Sequence, residues 1–317
     1  MIKEFKRLID SYKYITIITH INPDADTIGT GLGIYHILKN LGKNVEIVNF
    51  SYQFSNGVKF LRGFDKIKNR IDYEDSIIIA CDCGDIGRIG FDISGREIIN
   101  IDHHYGNSNF GILNIIDDRA VSASQVAYQF LKDDFKIDRV VAECFYTALV
   151  SDTQSFRTNN LTDETFGIAS ELISKGANPS RVAQNLTQKN SLASIRLLAK
   201  ALDTFTLYLD GIVGVVVVDE DMMNSCGATI SDCDNLAPYT YSLATTEIGV
   251  LIVKLEDKTK VSLRAKNKNL DMSKIASFFG GGGHRSASGF RVSKDRVDLI
   301  EEIINQIKIV LDSNESK

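Results

Sequence analysis

The sequence has few of the features that would mark it as a membrane, secreted or nucleic-acid-coating protein. No apolar run approaches the roughly 18 residues of a membrane-spanning helix. The formal net charge of −5 argues against a broad basic face for long nucleic acid, although it does not exclude a short nucleotide held by a few local cations. The five cysteines show no zinc-binding spacing, and the first residues lack the apolar core of a signal peptide. These absences predict a cytoplasmic protein that contacts neither membranes nor long duplex nucleic acid.

The length of 317 residues favours two domains, each large enough to bury its own core. Apolar β-branched runs alternate with helical patterns, which predicts α/β domains and, in the first half, a doubly wound, mostly parallel sheet. A polar stretch around Thr187 separates this part from a second series of strands and helices. We therefore predict a catalytic domain over 1–185, a helical linker over 186–205 and a smaller α/β domain over 206–317.

The individual elements follow from the hydrophobic periodicity, except in residues 51–75, where no clear pattern emerges. The predicted strands are 14–19, 45–50, 76–81, 97–101, 212–218, 247–254 and 260–264. The main predicted helices are 27–40, 140–150, 180–204, 232–238, 271–279 and 294–312.

The stretch 15–29 has the densest group of reactive side chains. A buried strand ends at His20, and Asp24 and Asp26 follow before a helical pattern begins. The loop after such a strand lies at the carboxyl edge of a parallel sheet, where open α/β sheets bind their ligands. The two aspartates either cap the helix that follows or share a cation. This stretch alone leaves both interpretations open.

The remaining strand ends add the same residue types. Asp82 and then Asp102, His103 and His104 follow predicted strands, and Asp152 ends a predicted helix. Buried carboxylates without a counter-charge are strongly destabilising. The charges of four aspartates at this edge would be balanced by two divalent cations: Asp24, Asp26, Asp82 and Asp152. Imidazole and carboxylate ligands without thiolate suit Mn²⁺ or Mg²⁺, and the histidines favour Mn²⁺.

These segments together resemble a known family. Residues 20–26 (His-Ile-Asn-Pro-Asp-Ala-Asp), 82–88, 102–104 and 151–153 match, in order, the four motifs of DHH phosphoesterases. Residues 280–284 (Gly-Gly-Gly-Gly-His), with Gly289, resemble the signature of the DHH-associated C-terminal domain. The length and layout are most similar to the nano-RNase type, which degrades very short RNA and dephosphorylates 3′-phosphoadenosine 5′-phosphate. One position departs from the pattern, because Gln154 stands where the family usually has glycine.

The resemblance implies a role for each residue of the motifs. It places His20 and Asp24 on one metal ion and Asp82 between two ions. It assigns the second ion to three further residues: Asp26, His103 and Asp152. His104 is implied as a phosphate contact or as the proton donor to the leaving oxygen. Asp102 is expected to orient a histidine, with a turn cap as the structural alternative.

The glycine-rich segment has two interpretations. Its exposed N–H groups suit a phosphate, or it is a hinge that binds nothing. Arg264 ends a strand nearby and either holds a second anion or is a surface residue. We predict substrate contacts from Arg264, Gly281, Gly282, Gly283, His284 and Arg285.

The sequence thus predicts a manganese-dependent phosphoesterase, with Mg²⁺ as the alternative ion. The resemblance implies hydrolysis of RNA of roughly two to five nucleotides from an end, and dephosphorylation of 3′-phosphoadenosine 5′-phosphate. The expected partners are short RNA or DNA oligonucleotides or nucleotide phosphates, and a homodimer is compatible with the sequence. The alternatives are a hydrolase of linear or cyclic dinucleotides, a class II pyrophosphatase-like enzyme and a catalytically silent nucleotide sensor. The glycine-rich segment disfavours pyrophosphate, which has no base, and the complete ligand set disfavours a sensor.

Overall fold

The computed structural model describes residues 1–51, 54–187, 190–267, 269–283, 285–293 and 298–315. The chain divides into two compact units, Met1–Lys189 and Asn190–Lys317, and each is described by itself. No helix within the described ranges is both long and apolar enough to cross a membrane.

The first unit is built on a six-stranded sheet with the strand order β3-β2-β1-β4-β5-β6. Its strands are β1 (Tyr14–Thr19), β2 (Asn44–Asn49), β3 (Ile67–Lys68), β4 (Ile77–Cys81), β5 (Ile98–Asp102) and β6 (Leu113–Ile116). Its helices are α1 (Ile2–Ser11), α2 (Ala25–Asn40), α3 (Ala123–Leu131), α4 (Arg139–Asp152), α5 (Asp163–Ser174) and α6 (Pro179–Thr187).

All strand pairs of this sheet are parallel, and the order reverses between β1 and β4. From β1 the chain continues outward to β2 and β3, and from β4 it continues outward in the other direction to β5 and β6. The predicted doubly wound, parallel sheet is therefore confirmed. In such sheets the crevice at the carboxyl ends of the two central strands is the usual ligand site.

The strands form because their apolar residues are buried on both faces, as their nearly continuous β-branched runs predict. One face, including Ile17 and Ile79, packs against the helices, while Ile18 and Ile78 pack against the segment between β4 and β5. The four strands predicted for this unit agree with β1, β2, β4 and β5 to within one residue at each end. The sequence missed β3 and β6, which are too short to give a periodic pattern.

Glycines allow α2 and α4 to pack closely. A Cβ on Gly29 would lie 2.8 Å from the Cβ of Ala148. A Cβ on Gly33 would clash with the Phe145 ring, since it would lie 2.2 Å from the nearest ring carbon. These contacts run in opposite directions along the two helices, so α2 begins where α4 ends. The first turn of α2 is thereby brought to Asp152, the last residue of α4.

The second unit contains a mixed sheet with the order β11-β12-β10-β9-β8-β7, in which only β8 and β9 pair in parallel among the described strands. Its strands are β7 (Thr206–Tyr208), β8 (Val213–Val218), β9 (Ile248–Lys254), β10 (Lys258–Ala265), β11 (Gly282–Gly283) and β12 (Ala287–Ser293). Its helices are α7 (Leu192–Asp203), α8 (Glu220–Cys226), α9 (Ile230–Cys233), α10 (Met272–Phe278) and α11 (Leu299–Glu315), with a 3₁₀ segment at Asp234–Tyr241.

The sequence predicted β8, β9 and β10 but missed β7, β11 and β12. The last helix was predicted from residue 294, whereas α11 begins at Leu299, and 294–297 lie outside the described residues. Leu197 and Ala201 of α7 are buried in a core of this second unit. The assignment of 186–205 as a linker stays a prediction.

Candidate metal centre

Acidic and imidazole side chains meet at the carboxyl edge of the first sheet. His20 directly follows β1 and Asp82 directly follows β4, the two central strands. His103 follows β5, Asp26 lies in the first turn of α2, and Asp152 ends α4. The topology therefore brings residues between His20 and Asp152 together at one edge of the sheet, as expected for residues that follow the ends of parallel strands.

The cluster contains two trios without a shared member, and in each of them one ligand atom per residue lies within 4.8 Å of the others: His20, Asp24 and Asp82; and Asp26, His103 and Asp152. A third group of the same kind joins them, because it takes Asp82 from the first trio and His103 from the second, together with His104. Asp82 Oδ2 lies 3.3 Å from His20 Nε2, and Asp82 Oδ1 lies 3.5 Å from His103 Nε2. One carboxylate therefore presents one oxygen to each histidine.

Asp82 fits a cation better than it fits the protein alone. Its side chain is 2% exposed, yet Oδ1 has no hydrogen-bond partner within the described part of the chain. A buried carboxylate oxygen without a partner costs on the order of 1–3 kcal/mol. Its backbone is also in the left-handed region, with φ of 60°. The residues present therefore suit divalent ions on either side of this carboxylate.

The pKa values of the clustered groups also favour a bound cation. Burial, followed by the charges of Asp82 and Asp24, raises the pKa of Asp152 to about 8. Burial and neighbouring carboxylates likewise raise the pKa of Asp26. Burial alone would lower the pKa of His20, but its contacts with Asp24 and Asp82 raise it to about 10. The cluster thus carries excess negative potential, which a bound cation would relieve.

Both metal-facing histidines are oriented by backbone carbonyls. His20 Nδ1 lies 2.7 Å from the carbonyl oxygen of Ile21, and His103 Nδ1 lies 3.3 Å from that of Ala120. With the Nδ1 proton donated to the carbonyl, Nε2 is the nitrogen that faces the carboxylates, and it would bind a metal ion once it has lost its own proton. Metal-binding histidines are commonly held in this way.

The two aspartates after β1 have different anchors. Asp24 caps α2, since its Oδ1 accepts from the N–H groups of Asp26 and Thr27, while its Oδ2 lies 3.6 Å from His20 Nε2. The capping and cation interpretations of Asp24 are therefore compatible. Asp26 instead accepts from the N–H groups of Ala123 and Ser124, at the start of α3.

His104 is held by a second carboxylate. Its Nδ1 lies 2.7 Å from Asp102 Oδ1 and 3.5 Å from Asp82 Oδ1. The hydrogen bond with Asp102 is the main reason that the pKa of His104 is raised. Asn107 donates to the other oxygen of Asp102. The sequence analysis missed Asn107. Its position in the loop after β5, three residues beyond His104, could have indicated a side chain near the site.

The turn after Asp152 gives a physical reason for the glycine that the family usually has at position 154. Three successive residues are left-handed, with φ of 49° at Gln154, 63° at Ser155 and 60° at Phe156. The turn is held by a hydrogen bond from the Ser155 N–H to the Val150 carbonyl. Glycine would adopt the conformation of residue 154 without strain.

We expect the Gln154→Gly variant to be as stable as the wild type or about 0.5 kcal/mol more stable. Relief of left-handed strain is worth about 1–2 kcal/mol, and the greater freedom of glycine in the unfolded chain offsets about 0.5–1 kcal/mol. The matched change Gln306→Gly, in the interior of α11, should cost about 1 kcal/mol. Urea unfolding of both variants tests this, and equal destabilisation would contradict it.

The predicted substrate contacts lie in the second unit. Arg264 is in β10, and Gly282 and Gly283 form β11, which pairs with β12. A Cβ on Gly281 would lie 2.3 Å from the Gly289 carbonyl oxygen, so close backbone packing is a further reason for glycine here. Arg285 is exposed, and its Nε lies 3.8 Å from Asp271 Oδ2. His284 lies outside the described residues.

Comparisons with known proteins identify both parts of the chain. The family model described as the DHH family, N-terminal domain, matches residues 14–149, and that of the DHHA1 domain matches 223–310. The chain is similar to the bifunctional oligoribonuclease and PAP phosphatase NrnA of Thermus thermophilus, with 29% identity over 87% of this chain and 83% of that protein. The protein of the same name from Bacillus subtilis is 28% identical over 94% of this chain and 95% of its own length.

A solved structure shows the same fold. An exopolyphosphatase-related protein from Bacteroides fragilis superposes with a TM-score of 0.87 at 24% identity, covering 99% of this chain and 96% of that chain. The two domain matches occur in the expected order along the chain. The first includes both central strands and every residue of the two trios except Asp152. The chain belongs to the DHH family of phosphoesterases, with a DHHA1 domain after its N-terminal domain.

Proposed function

We propose that this chain hydrolyses very short oligonucleotides from one end and dephosphorylates 3′-phosphoadenosine 5′-phosphate, using two divalent metal ions. The observation that carries the proposal is Asp82, which is buried between two ligand trios and has one oxygen without a hydrogen-bond partner in the described structure. The names of the relatives from Thermus thermophilus and Bacillus subtilis support the substrate class.

We assign one ion to His20, Asp24 and Asp82, and the other to Asp82 and a second trio: Asp26, His103 and Asp152. Two divalent ions supply the charge that activates a water molecule and clamps the phosphate oxygens. Mn²⁺ is the proposed ion, because the mixed set of imidazole and carboxylate ligands suits it better than Mg²⁺.

The other residues of the centre have supporting roles in this proposal. Asp102 and Asn107 fix the ring of His104, which then holds a proton on Nδ1 toward the carboxylate. Because its pKa is raised, His104 keeps a positive charge at neutral pH more readily than an ordinary histidine does. It is placed to contact a phosphate or to donate a proton to the leaving oxygen.

The substrate class is tested by offering the purified chain, with Mn²⁺, RNAs of two, five and twenty nucleotides. We expect turnover to fall by at least about tenfold, or 1.4 kcal/mol, between the shortest and the longest RNA. The physical reason is that a chain with a net charge of −5 offers no extended basic groove for a long strand.

The same assay decides between the alternatives. Parallel reactions contain 3′-phosphoadenosine 5′-phosphate, a cyclic dinucleotide, its linear product and pyrophosphate. Preference for pyrophosphate, or equal rates on RNAs of all three lengths, would contradict the proposal. No hydrolysis of any of these, with intact nucleotide binding, would support the sensor alternative. The homodimer and the cytoplasmic location stay predictions.

A further inference from the structure

Large apolar side chains are exposed around the candidate metal centre. Phe50 directly follows β2 and is 57% exposed, and Ile86 lies in the short 3₁₀ turn Ile86–Arg88 after β4 and is 53% exposed. Tyr105, three residues beyond the end of β5, is 91% exposed. β2, β4 and β5 are parallel to β1, and the three residues follow their carboxyl ends, so they lie at the same sheet edge as the ligand trios.

Tyr105 is the most exposed of the three, and hydrogen bonds hold the backbone turn that carries it. The Asn107 N–H donates to the His104 carbonyl, and Gly106 between them has φ of 78°, so the chain turns tightly here. The side chain of Asn107 also donates to the carbonyl of Cys83 and to Asp102. Hydrogen bonds of Asn107 thus attach the turn to Asp102, next to the candidate metal centre, and the Tyr105 side chain is exposed on this turn.

Tyr105 lies close to the ligand trios along the chain. It is the next residue after His104, so their Cα atoms are about 3.8 Å apart, and His104 Nδ1 lies 3.5 Å from Asp82 Oδ1. A phosphate held at the ligand trios has its nucleobases within one nucleotide of that point. Exposed aromatic rings stack on bases without regard to sequence, and the stacking contributes strongly to binding of short single strands.

We propose that Tyr105 is the base-stacking residue of this enzyme, whose ring packs against a nucleobase next to the phosphate at the candidate metal centre. Tyr105 therefore selects substrates that carry a base over phosphate esters that do not. The aromatic ring, and not the hydroxyl group, makes the stacking contact, so phenylalanine at position 105 should serve as well as tyrosine. This inference rests on the proposed function.

The test compares RNA dinucleotides that differ by one base. Each nucleotide in turn is made abasic, and kcat/KM is measured with Mn²⁺ for the wild type, Tyr105→Ala and Tyr105→Phe. We expect Tyr105→Ala to lose about tenfold on the complete dinucleotide, or 1.4 kcal/mol. One of the abasic dinucleotides should cost the wild type a similar factor and cost Tyr105→Ala nothing further, because the two changes remove the same contact. Tyr105→Phe should retain wild-type rates on all substrates.

A matched control is Leu41→Ala, an exposed apolar residue at the end of α2, on the opposite sheet edge. It should change no rate, and Mn²⁺ affinity should be equal in all four proteins. Equal losses by Tyr105→Ala on complete and abasic dinucleotides, or no loss at all, would overturn the inference. If the wild type hydrolyses no dinucleotide, the proposed function fails. The stacking is then tested separately by calorimetry, which measures the affinity of the wild type, Tyr105→Ala and Tyr105→Phe for an uncleaved phosphorothioate dinucleotide with and without each base.

Discussion

Replacement of Asp82 with asparagine is expected to reduce hydrolysis of short oligonucleotides by about a thousandfold, or about 4 kcal/mol of barrier. The change keeps the shape of the side chain and removes the negative charge that faces both histidines, at 3.3 Å and 3.5 Å. Both proposed metal positions therefore lose a shared ligand in one substitution, and Asp82→Ala should be at least as damaging. Turnover is measured at saturating Mn²⁺, so that weaker metal binding alone does not explain the loss.

The same substitution is expected to stabilise the metal-free protein at neutral pH. The pKa of Asp82 is raised in the folded state, chiefly by burial, so the folded protein binds its proton more tightly than the unfolded chain does. Stability from this group is full at acidic pH and is lost as the pH rises through the folded pKa. Asparagine does not ionise, so the variant does not lose this stability as the pH rises. Chemical denaturation of metal-free wild type and Asp82→Asn at pH 5 and pH 7.5 measures the effect.

The matched control for both experiments is Asp75→Asn, an exposed aspartate just before the opposite end of β4. It should alter neither turnover nor the pH dependence of stability. Retention by Asp82→Asn of more than about a tenth of the wild-type turnover would refute the bridging role, because that corresponds to only about 1.4 kcal/mol.

Removal of metal is expected to abolish hydrolysis, and Mn²⁺ should restore it better than Mg²⁺ or Ca²⁺. Burial, followed by the charges of neighbouring carboxylates, raises the pKa of Asp26 and of Asp152, and a bound cation would relieve both effects. The bound ions would supply the positive charge that activates water beside a phosphate. The measurement is turnover after exhaustive chelation and dialysis, followed by titration with each ion.

Metal binding should also raise the melting temperature, because the ions bind only the folded centre. At a free metal concentration of 100 times Kd the gain is about 2.7 kcal/mol per site. Full activity after chelation would refute the metal centre. Equal restoration by Ca²⁺ would refute the argument from imidazole ligands, since Ca²⁺ prefers oxygen ligands alone.

The sequence predicted the core of the site because simple rules place it. Apolar β-branched runs identify buried strands, and their ends mark the edge where ligands bind. His20, Asp82 and His103 lie at that edge in the structure, as predicted. The helix that ends in Asp152 was also recognised from its periodicity, and α4 extends the predicted range by one residue at its start and two at its end.

Other features depend on tertiary contacts that no local pattern reports. The anchor of Asp26 is the start of α3, almost 100 residues away in sequence. The approach of α2 to α4 depends on Gly29 and Gly33 fitting against side chains of the partner helix. The glycine-rich segment was predicted as a phosphate loop or a hinge, and in the structure two of its residues, Gly282 and Gly283, form a short strand paired with β12. Its proposed contact with substrate is compatible with that strand but does not follow from it.

The most direct test of the two-metal account is the number of Mn²⁺ ions bound per chain. Equilibrium dialysis of the chelator-treated protein against Mn²⁺, with the bound metal counted by atomic absorption, gives this number without a substrate. The account predicts two ions per wild-type chain, a reduced number or markedly weaker binding for Asp82→Asn, and two for Asp75→Asn. Fewer than two ions in the wild type at saturation, or two ions held with unchanged affinity by Asp82→Asn, would contradict it.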